Sequence, residues 1–143
     1  MRYLFFLSLV LFIPCVQGQD HIAWTGKFTP ESKTVIIEAE LDPEWHVYSQ
    51  FISPEIGPIP TEIQFDKIEG VDFLGKPAEN KPIQAYDESF GAEVAYFEKK
   101  AQFSQRITAK KRTLVTAHIA YMICNHNTCL PPAEKTIQIE VYP

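Results

Sequence analysis

The sequence predicts an all-β domain built as an antiparallel sandwich. Three observations carry that expectation. Short segments alternate apolar and polar residues and are rich in aromatic and β-branched side chains. Turn-forming residues, among them 11 prolines and 6 glycines, recur every 8–12 residues or so. No segment of helix length shows a 3.6-residue apolar period.

Thr34–Leu41 (TVIIEAEL) is β-branched and apolar, the composition of a strand. In Trp45–Ser49 the side chains alternate, so Trp45 and Val47 take one face and His46 and Tyr48 the other. The stretch Phe51–Pro60 (FISPEIGPIP) holds three prolines and reads as an irregular connection. Ile63–Phe65 is a short strand. Glu93–Ile107 reads as one long strand, alternating around Val94, Tyr96, Ala101 and Phe103. Thr113–Ile123 is a second long run, and Thr136–Tyr142 closes the chain. Trp24, Phe28, Phe97 and Phe103 are core candidates. Lys110-Lys111-Arg112 reads as a solvated turn. His118 reads as a satisfied core or surface histidine, although it shares strand parity with Met122 and Cys124.

The first residues have a different logic. Arg2 precedes an apolar run from Tyr3 to Ile13, then Pro14, with Val16 and Gly18 at cleavage-site spacing. That pattern predicts a secretory signal peptide over residues 1–18. The run is shorter than the roughly 20 residues of a bilayer-spanning helix. A buried strand or a retained anchor is the alternative. Lipidation of Cys15 fits poorly, because Phe12-Ile13-Pro14 lacks a small residue beside the cysteine. Cleavage after Gly18 leaves about 125 of the 143 residues, one compact domain, with no membrane span in the mature chain.

The mature chain carries 12 basic against 18 acidic side chains, a balance of −6 once Arg2 is gone. That argues against nucleic acid and anionic membrane surfaces as partners, since both need a basic patch. Of three cysteines, Cys15 leaves with the leader. Cys124 and Cys129 remain, five residues apart, in an oxidising compartment, and an even count suggests that they pair.

Cys124-Asn125-His126-Asn127-Thr128-Cys129 lies between two strand candidates. Asn125 and Asn127 tolerate turn conformations, which places both cysteines at the tip of a strand connection. Pro131 and Pro132 stiffen the return and remove two ladder donors. Three readings fit: a structural staple in a non-catalytic binding module, a redox-active pair, or a metal site using Cys124, His126, Cys129 and a distant histidine. The metal site lacks the second ligand cluster usual for structural zinc.

Tyr121-Met122-Ile123-Cys124, then four residues, then Cys129-Leu130-Pro131-Pro132, resembles the active-site hairpin of the N-terminal periplasmic domain of DsbD-type thiol:disulfide interchange reductases. Trp45-His46-Val47-Tyr48-Ser49-Gln50 is similar to that family's aromatic strand, and Asp87-Glu88-Ser89-Phe90-Gly91 to its acidic, aromatic cap loop. The resemblance covers the mature chain, 19–143, as one domain. It implies an immunoglobulin-like sandwich and disulfide-reductase-type thiol–disulfide exchange at Cys124 and Cys129. His46 and Tyr48 would line the site, with Asp87, Glu88 and Phe90 as cap. A histidine there suits proton transfer or thiolate stabilisation, whereas the two acids would disfavour a thiolate.

It also implies a periplasmic location and no cofactor or metal. The electron donor would be the thioredoxin-like domain of a membrane electron transporter, and the acceptors periplasmic disulfide isomerases or other thioredoxin-fold proteins. Two departures stand out. The chain ends with the sandwich, so the donor is expected on another polypeptide. Some family members carry the capping aromatic one position earlier, where this sequence has Ser89, so Phe90 is expected to take that role.

Overall fold

The computed structural model describes residues 21–55 and 57–143, which form an all-β, immunoglobulin-like antiparallel sandwich. The leader and Cys15 lie outside the described residues. The strands are β1 (Ile22–Thr29), β2 (Thr34–Leu41), β3 (His46–Tyr48), β4 (Glu62–Phe65), β5 (Val71–Glu79), β6 (Ile83–Asp87), β7 (Ala92–Glu98), β8 (Lys100–Ala109), β9 (Thr113–Tyr121), β10 (Ile123–Cys124) and β11 (Ala133–Val141). One layer has the order β1-β2-β8-β5. The opposite layer is two sheets, β10-β3-β7-β6 and β11-β9-β4, joined where β9 runs on into β10 through Met122.

Both layers contribute to one core. Val35, Ile37, Ala101, Phe103 and Ile107 meet Val47, Phe97, Val115, Ile119, Ile123 and Val141, all buried. Trp24 and Phe97 pack against Phe103, and Phe28 sits at the margin against Tyr142. Gly26 lets β1 approach β11: a Cβ there would lie 2.7 Å from Ile139 Cγ1.

The expected strand Glu93–Ile107 is two strands in different layers. Lys99 has φ 62°, in the left-handed region, and turns the chain from β7 into β8. The core-facing parity runs on through the turn, from Phe97 to Ala101 and Phe103, while Val94 and Tyr96 face outward. Likewise Thr113–Ile123 divides at Met122, and the last strand begins at Ala133, earlier than expected.

Three strands had no clear sequence signal. In β1, Gly26 interrupts the pattern. Gly75 and Pro77 interrupt β5, where the register shifts between Leu74 and Ala78. The buried Gln105 side chain donates to the freed Leu74 carbonyl at 3.0 Å. β6 is a short edge strand.

The irregular stretch after β3 is pinned by hydrogen bonds. Glu79 accepts from Ser49 Oγ and, at 3.0 Å, from Gln50 N, while Thr61 Oγ1 donates to the Tyr48 carbonyl at 2.6 Å. These bonds hold Ile52 over the outer face of β3.

Candidate functional site

The Cys124–Cys129 hairpin is built by Asn125. Its Oδ1 accepts from the backbone N–H groups of Asn127 and Thr128, each at 2.9 Å, closing the turn. Asn125 N donates to Thr128 O at 2.9 Å and Leu130 N to Ile123 O at 3.0 Å. Those two bonds bracket the cysteines, which face each other as a non-hydrogen-bonded antiparallel pair, where side chains come closest. Their Cα atoms are 4.0 Å apart and a disulfide joins them. Leu130 packs against the main core and anchors the return.

The two sulfurs have different surroundings. Cys124 belongs to β10 and is 2% exposed, whereas Cys129 lies on the exposed hairpin return. Cys124 is the cross-strand partner of His46 on β3, and His46 is in turn the partner of Glu98 on β7. Cross-strand partners share a face. Glu98, His46, Cys124 and Cys129 therefore form one row on the outer side of this sheet.

A second, smaller apolar cluster covers that side. Tyr48, Val94, Met122 and Cys124 are buried in it, with Ile52, Phe90 and Tyr96 packed around them. Tyr48 is fully buried, and Phe90 meets it edge-on at 6.3 Å. Phe90 comes from the β6–β7 turn, where Asp87 Oδ1 accepts from Ser89 N at 2.8 Å and Gly91 has φ 62°. The conformation at Gly91 is one that side chains disfavour.

His46 Nε2 and Tyr48 Oη are 3.0 Å apart. Burial pulls the His46 imidazole below its ordinary pKa. Asp87 and Glu98 oppose that pull and His126 adds to it. Burial, with help from Asp87 and Tyr96, pushes the Tyr48 phenol far up, so it stays protonated. A cleft of about 320 Å³ opens beside the hairpin, lined by His46, Asp87, Glu88, Tyr96, Glu98 and His126 among others.

The structure places the expected residues near the hairpin: His46 from β3, Asp87 at the end of β6 and Glu88 from the β6–β7 turn line the cleft with Asn125 and His126, and Tyr48 and Phe90 share the outer cluster with Cys124. His118 is not among them. It lies on the exposed face of β9, in the β11-β9-β4 sheet, paired with Asp66 at 3.0 Å. Arg112 pairs with Glu140 and lies over the Tyr142 ring at 4.7 Å. Among the described residues, no group of three or more His, Cys, Asp and Glu side chains is placed to hold a metal ion. Sequence reading did not assign Ile52, Tyr96 or Glu98 to the site. The switch of apolar parity between Tyr96 and Ala101 was the available signal for two of them.

Comparison with known proteins adds identity to this geometry. The family model "Thiol:disulfide interchange protein DsbD, N-terminal" matches residues 18–141. The chain belongs to the DsbD N-terminal family. The family's role is thiol–disulfide exchange, and the joined Cys124–Cys129 pair is the group that such exchange needs.

Solved structures agree on the fold. The reduced DsbD N-terminal domain of Neisseria meningitidis aligns with TM-score 0.58 and 15% identity, over 85% of this chain and 87% of that one. The same organism's complex between the DsbD N-terminal and PilB N-terminal domains aligns with TM-score 0.63 and 12% identity, over 88% of each chain. The N-terminal periplasmic domain of ScsB from Proteus mirabilis aligns with TM-score 0.57 and 16% identity, over 90% of this chain and 48% of that one. No match is found among curated proteins. Among the described residues, no helix is long and apolar enough to cross a membrane.

Proposed function

We propose that this domain is a periplasmic electron carrier, exported after loss of residues 1–18. It would take two electrons from the thioredoxin-like domain of a membrane electron transporter and deliver them to disulfide isomerases or other exported thioredoxin-fold proteins. The observation that carries this reading is the asymmetry of the disulfide, one sulfur exposed and the other 2% exposed in a packed cluster. The complex formed by the DsbD N-terminal domain with the PilB N-terminal domain supports docking of a second protein domain.

Exchange needs a thiolate to approach along the S–S axis and a leaving sulfur that stays near. Cys129 offers the approach, and Cys124 is held by its strand. A donor thiolate attacks Cys129 Sγ, the Cys124–Cys129 bond breaks, and Cys124 leaves as thiolate. The donor's second thiol then releases Cys129, and the domain departs with two reduced cysteines. Delivery to an acceptor reverses the sequence. Phe90 and the 87–91 turn shield the Cys124 side of the pair until a partner moves them aside, the usual work of a lid.

The test is trapping. With Cys124→Ala, Cys129 should accumulate a long-lived mixed disulfide with a thioredoxin-fold partner, since nothing resolves it. With Cys129→Ala, little complex should form. The reverse pattern would move the attack to Cys124. Failure of both variants, with a reduction potential below about −300 mV, would leave the pair as a structural staple in a binding module.

A further inference from the structure

Resting on the exchange reading, the row Glu98–His46–Cys124–Cys129 carries one step more. Facing residues of an antiparallel pair have Cβ atoms about 4.5–5.5 Å apart, which puts an imidazole within reach of a thiol. We infer that His46 is the proton acceptor for Cys124, the thiol that must ionise to close the ring and free the partner. The chemistry is specific to the buried sulfur. Cys129 is solvent-exposed and can lose its proton to water, whereas Cys124 is enclosed by Tyr48, Val94 and Met122.

The groups facing His46 fit that task. The tautomer protonated at Nε2 donates to Tyr48 Oη and leaves Nδ1 as an acceptor. Burial keeps the imidazole neutral and ready to accept. Glu98 and Tyr96 from β7 and Asp87 from β6 face the ring, and the two carboxylates stabilise the imidazolium once it forms. His126 at the hairpin tip acts against it.

The step balances. In the mixed disulfide, the Cys124 proton passes to His46 and the Cys124 thiolate attacks Cys129 Sγ. The Cys124–Cys129 bond forms, the bond to the partner sulfur breaks, and the partner thiolate leaves with the electron pair. The cysteines are oxidised and the partner is reduced. His46 then returns its proton to solvent or to the departing thiolate.

Rapid mixing of the reduced protein with dithiobis(nitrobenzoate) separates the two events. The first coloured thiolate marks attack by Cys129 and the second marks ring closure by Cys124. A thiol of pKa about 8.5 is only about 3% ionised at pH 7, so a base can accelerate closure by up to roughly thirty-fold. His46→Gln keeps a hydrogen-bonding partner for Tyr48 and removes the base. It should slow the second release roughly ten-fold near pH 7 and leave the first within about two-fold, a difference that shrinks as pH rises toward ionisation of Cys124 itself. Glu98→Gln, at an exposed position, should slow the second release less and move its pH midpoint downward.

An unchanged second release in His46→Gln, or equal slowing of both releases at every pH, would overturn the role of His46 while exchange itself stands. If the native protein gives a first release and no second, the exchange reading falls with it.

Discussion

The two faces of the β10-β3-β7-β6 sheet are built on opposite principles. On the inner face Val47, Phe97 and Ile123 join a core that holds no carboxylate, imidazole or amine among its buried residues. On the outer face His46, Tyr48, Tyr96 and Cys124 share a thin cluster with titrating groups, covered by one turn and one irregular connection. Adjacent residues of a strand supply the two faces: Val47 stabilises and Tyr48 shields. The inner face supplies a rigid ladder, and the outer face uses that ladder to set the spacing of Glu98, His46 and the cysteines. Stability and chemistry are thus separated by the thickness of one sheet, and each face can be perturbed on its own.

The largest effect should come from the inner face. Phe103 is 1% exposed and packs against Trp24 and Phe97. Phe103→Ala should cost about 3–5 kcal/mol in denaturant unfolding, the range for a large aromatic removed from a packed core. The rate at which dithiothreitol reduces the remaining folded protein should be unchanged. A large change in that rate would show that the two faces are coupled.

Breaking the disulfide should cost less. A ring closed over residues five apart limits the unfolded chain by about 2 kcal/mol in the loop-entropy account. Reduced protein should therefore remain folded, with its unfolding free energy in urea titration lowered by that amount. Global unfolding on reduction would make the hairpin part of the scaffold and would contradict a carrier that must survive in both redox states.

Much of this division was legible in the sequence, and the failures have physical causes. Parity in Trp45–Ser49 separated Val47 from His46 and Tyr48, because a strand offers only two faces. The asparagines and prolines around the cysteines announced a stiff hairpin. The turn into β8 was hidden because Lys99 adopts a left-handed conformation without being glycine, which composition does not reveal. β5 and β6 were hidden by a bulge and by brevity. Glu98 could not be placed beside His46 until the chain reversal at Lys99 and the β3–β7 register were known. Pairing across strands, unlike parity within one, is a long-range fact.

The cap gives a smaller effect on stability and a larger one on rate. Phe90 is half-buried and touches the outer cluster alone. Phe90→Ala should lower stability by no more than about 1 kcal/mol, within the ordinary range for substitutions outside a core. Reduction by dithiothreitol should accelerate several-fold, because a small reagent gains access to the sulfurs. An unchanged rate would mean that another group shields them.

The smallest effect is a dependence on pH that the inner face cannot produce. Burial lowers the His46 pKa in the folded state, while the unfolded chain retains a value near 6.5. Between those two values the unfolded state binds a proton that the native state does not. Stability therefore rises with pH across that window. On acidification it begins to fall near pH 6.5, and the loss is complete below the folded pKa, where both states are protonated. In oxidised protein, where Cys124 does not titrate, His46→Gln should lose less of its urea midpoint between about pH 7.5 and pH 5.5 than the native chain does. Glu98→Gln should steepen the native loss, because removing a nearby carboxylate destabilises the imidazolium and lowers the folded pKa further. Identical acid limbs in the native chain and in His46→Gln would mean that His46 is solvated in the folded state. The outer cluster would then be a surface patch, and the contrast between the two faces would lose its chemical half.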